Sequence, residues 1–238
     1  MNKFDTSAEA TRKIITSGNT ELDSRMGGGI PAGSLVLIEG TSGAGKSVLS
    51  QQMLWGALNA GFTATLFTSE NTVKSLVPQM SSIDLDIQDY LLLGKLRVYP
   101  IELARLGSDA PRLLLRALQN QPGRDVLVID SLTSAITHDT ADLQLRSFFE
   151  ECKRLCAKGA TVMITLHAGA VEPDLMNPIR SLCDAHLNLR SEQDGQRLVK
   201  TLEVAKIRGA ASGTGAIVGF EVEPGWGMRV IPISKARG

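Results

Sequence analysis

The run Gly40-Thr41-Ser42-Gly43-Ala44-Gly45-Lys46-Ser47 fits the spacing G-x-x-x-x-G-K-[ST], and each residue type in it has a chemical use. The glycines let successive backbone N–H groups close around an anion. The lysine that follows can reach terminal phosphates, and the next hydroxyl can ligate Mg²⁺. Thr41, Ser42, Gly43, Ala44, Gly45, Lys46, Ser47 and the following Val48 are therefore candidate nucleotide contacts, with Ser47 also a candidate metal ligand. A glycine-rich turn would account for the glycines but not for the Lys-Ser pair.

Other candidates stand where apolar runs stop. Asp125-Val126-Leu127-Val128-Ile129-Asp130 closes four apolar residues on an acid. Beside a phosphate loop, Asp130 reads as the second half of a Mg²⁺ site, opposite Ser47; alone it would read as a turn or cap. Glu70, in Thr68-Ser69-Glu70-Asn71, can orient an attacking water or take its proton. The alternative is that Ser69 or Asn71 caps a helix and Glu70 sits in its first turn. Thr165 and His167 end another run and could sense a terminal phosphate, although a lone histidine there is commonly structural. Lys206 and Arg208 are spaced to neutralise phosphate charge in this subunit or a neighbour's; otherwise they form a solvated strand end. Cys152, Cys156, Cys183 and His186 raise a zinc possibility. Leu145, Phe148, Phe149, Cys152, Leu155 and Cys156 form one helical stripe, however, which favours core packing.

Elements must hold these groups in place. Residues 34–39 read as a buried strand entering the loop and residues 46–59 as the helix leaving it, whose N-terminal dipole favours an anion. Strands follow at 63–68, 95–99, 125–130 and 161–166, alternating with helices that begin at 72 and span 110–119 and 143–158. The remainder reads as strands at 185–190, 198–205, 216–221 and 228–231. The expected fold is a doubly wound α/β core, its sheet mostly parallel, with a β-rich C-terminal extension. Residues 1–16 read as an N-terminal arm and 17–238 as one domain. In such sheets ligands lie beyond the carboxyl ends of the strands.

Composition narrows the function classes. Across 238 residues, 43% are hydrophobic and 21% charged, and the formal net charge is zero. That balance weighs against non-specific nucleic-acid binding, which needs clustered positive charge. No apolar run approaches the roughly 18 residues needed to span a membrane. The first 18 residues lack the apolar centre of a signal peptide, and three cysteines fit a reducing cytoplasm better than a disulfide framework.

Longer stretches carry a family resemblance. Residues 17–23 (SGNTELD) and 27–34 (GGGIPAGS) lead into the phosphate loop, and 49–52 (LSQQ) follow it. Further on come 68–72 (TSENT), 128–132 (VIDSL), 164–167 (ITLH), 179–186 (IRSLCDAH), 204–210 (VAKIRGA) and 220–228 (FEVEPGWGM). Together they resemble the KaiC-like branch of the RecA superfamily, and within it the ATP-binding proteins of the archaellum, the archaeal motility motor. The resemblance implies a RecA-like core that binds ATP and Mg²⁺ and assembles with itself into a nucleotide-dependent ring, a hexamer. It also implies partners at the cytoplasmic face of a membrane-embedded motor: a motor ATPase, a membrane platform protein and a scaffold protein. By position Glu70 matches the family's acidic residue, and Lys206 and Arg208 match its Lys-x-Arg element, which reaches a neighbour's ATP. Family sites carry two adjacent glutamates, whereas Asn71 holds the second position here. The departure implies slow or absent hydrolysis and a regulatory or structural use of ATP. The alternatives are an autonomous ATPase or autokinase with Ser and Thr acceptors, and a recombinase-like DNA-binding ATPase.

Overall fold

A computed structural model describes residues 13–136, 142–194, 197–210 and 214–232. Most of the arm read at 1–16 lies outside the described residues. Its end, Ile14–Ile15 (β1), pairs antiparallel with Ile30–Pro31 (β2), and Thr20–Arg25 (α1) lies between them, capped by the Asn19 side chain.

The main elements then run Leu35–Gly40 (β3), Lys46–Asn59 (α2), Ala64–Thr68 (β4), Val73–Ser81 (α3), Gln88–Leu92 (α4), Leu96–Pro100 (β5), Ala110–Gln119 (α5) and Val126–Asp130 (β6). They continue as Asp142–Ala157 (α6), Thr161–His167 (β7), Pro173–Leu182 (α7), Ala185–Asp194 (β8), Arg197–Ile207 (β9), Ile217–Glu223 (β10) and Gly227–Ile231 (β11). The nine strands from β3 onward form one sheet, ordered β11-β10-β9-β8-β3-β7-β6-β4-β5. From β5 across to β8 every pairing is parallel, and from β8 to β11 every pairing is antiparallel. The expected fold class, RecA-like α/β with a β-rich extension, is the one observed.

Why these runs become central strands follows from their apolar continuity. In β3, Val36 and Ile38 enter the core under α2, while Leu35 and Leu37 enter the core under α5, α6 and α7. In β6, Val126 and Val128 divide from Leu127 and Ile129 in the same way. A strand covered on both faces needs no polar alternation, hence the unbroken runs. Leu187, Leu189, Leu202, Val204 and Phe220 of the antiparallel strands join the α2-side core, so the extension is packed into the same body as the phosphate loop.

Helix α7 is absent from the sequence reading. Pro173 occupies its first turn and Pro178 its interior, and prolines mask a helical run. Cys152, Cys156 and Cys183 are buried in the α5–α7 core, and burial pushes the Cys156 and Cys183 thiols up to about 12. The core-packing alternative for the stripe is what the structure shows.

Candidate functional site

Strand β3 delivers the chain to the loop through Gly40, where a Cβ would stand 2.5 Å from the Leu189 carbonyl oxygen. Only glycine tolerates that approach. Gly43 and Gly45 turn the loop with φ of +72° and +102°, and Gly45 caps α2 without a side chain, leaving the first-turn N–H groups to face a ligand. Lys46 Nζ donates to the Thr41 carbonyl at 2.9 Å across the loop. Its pKa is lowered by burial, against which the charges of Glu70 and Asp130 work.

Asp130 ends β6 and is 2% exposed. Ser47 Oγ lies 3.1 Å from Asp130 Oδ1 and 3.4 Å from Glu70 Oε2, so its single proton can go to either carboxylate. Thr165 donates to Asp130 Oδ1 at 2.8 Å and is fully buried. Its hydroxyl, read from sequence as facing a phosphate, is therefore spent on orienting Asp130. Burial is the main cause that carries Asp130 up to about 6, reinforced by the Glu70 charge and opposed by the Thr165 and Ser47 bonds and by Lys46. Hard oxygen donors brought together beside a lysine suit Mg²⁺ and phosphate.

Glu70 is exposed and not helical. The N-cap of α3 is Thr72, which forms a capping box with Ser75, so the alternative in which Ser69 or Asn71 caps the helix does not hold. Ser69 instead joins the β6 end, where Ser131 N–H donates to its hydroxyl at 3.2 Å. Asn71 is turned away too, its amide oxygen accepting from Ser75 Oγ at 3.1 Å. Of the adjacent pair Glu70 and Asn71, it is Glu70 that reaches Ser47, beside the carboxylate of Asp130. His167 ends β7 in register with Gly40, its backbone N–H bound to Thr133 Oγ1 and its Nδ1 2.8 Å from the Ala168 carbonyl. It stands at the base of the loop.

Lys206 and Arg208 are elsewhere. Strand β9 runs against the parallel strands, so its carboxyl end lies at their amino ends: Ile207 pairs with Ala185, which pairs with Val36. Lys206 Nζ donates to the Arg180 and Ser181 carbonyls at 2.7 and 3.3 Å, and Arg208 Nη2 donates to Ser181 at 2.8 Å. They cap the C-terminus of α7. The reading in which they neutralise phosphate in their own subunit is corrected by this strand direction.

Three features escaped the sequence reading. Phe220 packs its ring 3.2 Å from the point where a Cβ on Gly45 would stand, so the extension walls the loop. Lys200, near the start of β9, lines the loop cavity of about 300 Å³ together with Lys46, Ser47 and Glu70. Glu39, one residue before the loop, is 3% exposed. It accepts from Arg180 Nη2 and Nε at 2.6 and 2.9 Å, and His186 Nε2 lies 3.1 Å away. Burial alone would raise Glu39, but His186 and Arg180 together carry it down to about 2. Only the buried Glu at the end of an apolar strand hinted at this cluster; nothing local marked Lys200 or tied Phe220 to the loop.

Comparison with known proteins accords with the geometry. Residues 15–235 match the family described as "ATPase: KaiC". The archaeal flagellar ATP-binding protein FlaH of Sulfolobus acidocaldarius is 34% identical over 229 residues, covering 94% of this chain and 99% of that protein. Its namesake in Methanocaldococcus jannaschii is 27% identical, covering 91% and 94%. The crystal structure of flagellar accessory protein FlaH from M. jannaschii superposes with a TM-score of 0.79 at 26% identity, covering 93% of this chain and all of that one. The resemblance read from the sequence motifs is borne out.

Proposed function

We propose that this chain, which belongs to the KaiC ATPase family, is the ATP-binding component of an archaellum motor, in which ATP orders a ring of subunits and is hydrolysed slowly. The two FlaH relatives, matched over nearly their full length, support the archaellum assignment. The observation that carries the slow turnover is the solitary acid: Glu70 meets Ser47, while the Asn71 side chain is held by Ser75.

In this reading the loop N–H groups and Lys46 bind the phosphates, and Ser47 and Asp130 hold Mg²⁺, with Thr165 fixing the carboxylate. Mg²⁺, when bound, neutralises phosphate charge. Glu70 orients the attacking water and takes its proton. His167, at the loop base, senses the terminal phosphate. Lys206 and Arg208 face away from their own loop, so they would exchange the α7 carbonyls for a neighbour's ATP. The ring, a hexamer in the resemblance, would dock at the cytoplasmic face of the motor beside its ATPase, platform and scaffold proteins. Among the described residues no helix is long and apolar enough to cross a membrane.

The test is ATP binding, turnover and mass in solution for the wild type, Lys46→Ala and Glu70→Gln. Expected are Mg²⁺-dependent binding, turnover below about 1 per second, and a mass that rises with ATP only when Lys46 is present. Fast turnover abolished by Glu70→Gln would favour an autonomous ATPase, the reading that the Glu70–Ser47 approach also permits. A chain still monomeric at saturating ATP would remove the ring.

A further inference from the structure

Lys200 belongs to no part of the loop motif, yet the fold brings it there. Its register partner on β10 is Phe220. Partners opposite each other on an antiparallel pair project from the same face. The Phe220 ring on that face abuts Gly45, so Lys200 leaves the sheet on the side of the phosphate loop. It lines the loop cavity with Ser42, Gly43, Lys46, Ser47 and Glu70. It is half-buried, and among the described residues its ammonium has no hydrogen-bond or ion-pair partner.

That state contrasts with the other candidate cations, one at the loop and two on the far edge of the sheet. Lys46 is bound to Thr41 and sits in the field of Glu70 and Asp130, and Lys206 and Arg208 are bound to α7 carbonyls. A half-buried ammonium gains little where it has lost water and found no acceptor. Lys46 faces two carboxylates, so it cannot by itself balance a polyphosphate. A second cation supplied by the extension closes that deficit from the opposite wall.

Resting on the ATP-binding reading above, we propose that Lys200 is a nucleotide ligand of its own subunit, its ammonium pairing with the polyphosphate that the loop holds. The assignment is electrostatic, so Lys200→Arg retains binding, whereas Lys200→Ala and Lys200→Gln lose it. The experiment is calorimetric titration of Mg-ATP and Mg-ADP into wild type and the three variants, at several salt concentrations and at protein dilutions where the chain is monomeric. Thermal melts without nucleotide run in parallel. Expected are about tenfold weaker binding of ATP in the Ala and Gln variants, a shallower salt dependence, Arg near wild type, and unchanged melting without nucleotide. A Lys200→Ala protein that binds as wild type does, or one that loses affinity only in step with its melting temperature, overturns the assignment while leaving the ATP-binding reading intact. A wild type that binds neither nucleotide overturns both.

Discussion

The two ends of strand β9 carry cations of opposite circumstance. At its start Lys200 hangs over the phosphate loop with no partner among the described residues; at its finish Lys206 and Arg208 have their donors engaged by the last carbonyls of α7. Cationic side chains six to eight positions apart along the chain serve different edges of the sheet. A cation's role is therefore set by which edge its strand end reaches, and a pattern such as Lys-x-Arg does not reveal that. Between the edges stands Glu39, next to the loop by sequence and bound to Arg180, whose own carbonyl holds Lys206.

Breaking that link has the largest expected effect. Glu39→Gln leaves Arg180 without its buried counter-charge and alters the oxygen facing His186, and should cost about 3 kcal/mol in urea unfolding at pH 7. The sign with pH follows from the depressed acid: its stabilisation is fully present above about 4.5 and fades as pH falls towards about 2. The wild type should lose about 3 kcal/mol over that window from this group, and Glu39→Gln should show a flatter acid limb. Identical acid limbs would deny Glu39 this part.

At the loop edge, Lys46→Ala should weaken ATP binding about a hundredfold by titration. Lys206→Ala combined with Arg208→Ala should leave the monomer's affinity within about twofold while abolishing the ATP-dependent rise in mass. Equal losses from both ends would collapse the distinction between them.

The distinction sharpens in stability. Lys206→Met should lower stability by about 1 kcal/mol by stripping the α7 carbonyls, whereas Lys200→Met should change it by less than about 0.5 kcal/mol. Thr165→Val should weaken Mg²⁺-dependent ATP binding about threefold through a less firmly held Asp130, with little change in melting temperature.

Much of the core was legible in the sequence because central strands announce themselves as apolar runs and amphipathic helices by their stripes. The boundaries of α2 and α5 agree with the reading, and those of β3, β4, β5, β6 and β7 shift by a residue at one or both ends. Helix α7 was hidden by its two prolines, and the hairpin of β8 and β9 extends beyond the segments read as strands. Within the site, Asp130 and Glu70 converge from strand ends on Ser47 in the first turn of α2, as their positions implied. The same rule misplaced Lys206 and Arg208, because carboxyl ends share an edge only where strands run parallel.

What the sequence determined by itself is the strand–loop–helix unit from Leu35 to Asn59. Its geometry is set within one short stretch of chain, by glycines at φ above zero and a lysine and serine at fixed spacing. Whether a neighbouring strand runs with or against that unit depends on pairing across the sheet, which local spacing does not record. The tertiary structure alone decided that β9 reverses, placing Lys200 beside the loop and Lys206 with Arg208 on the far edge.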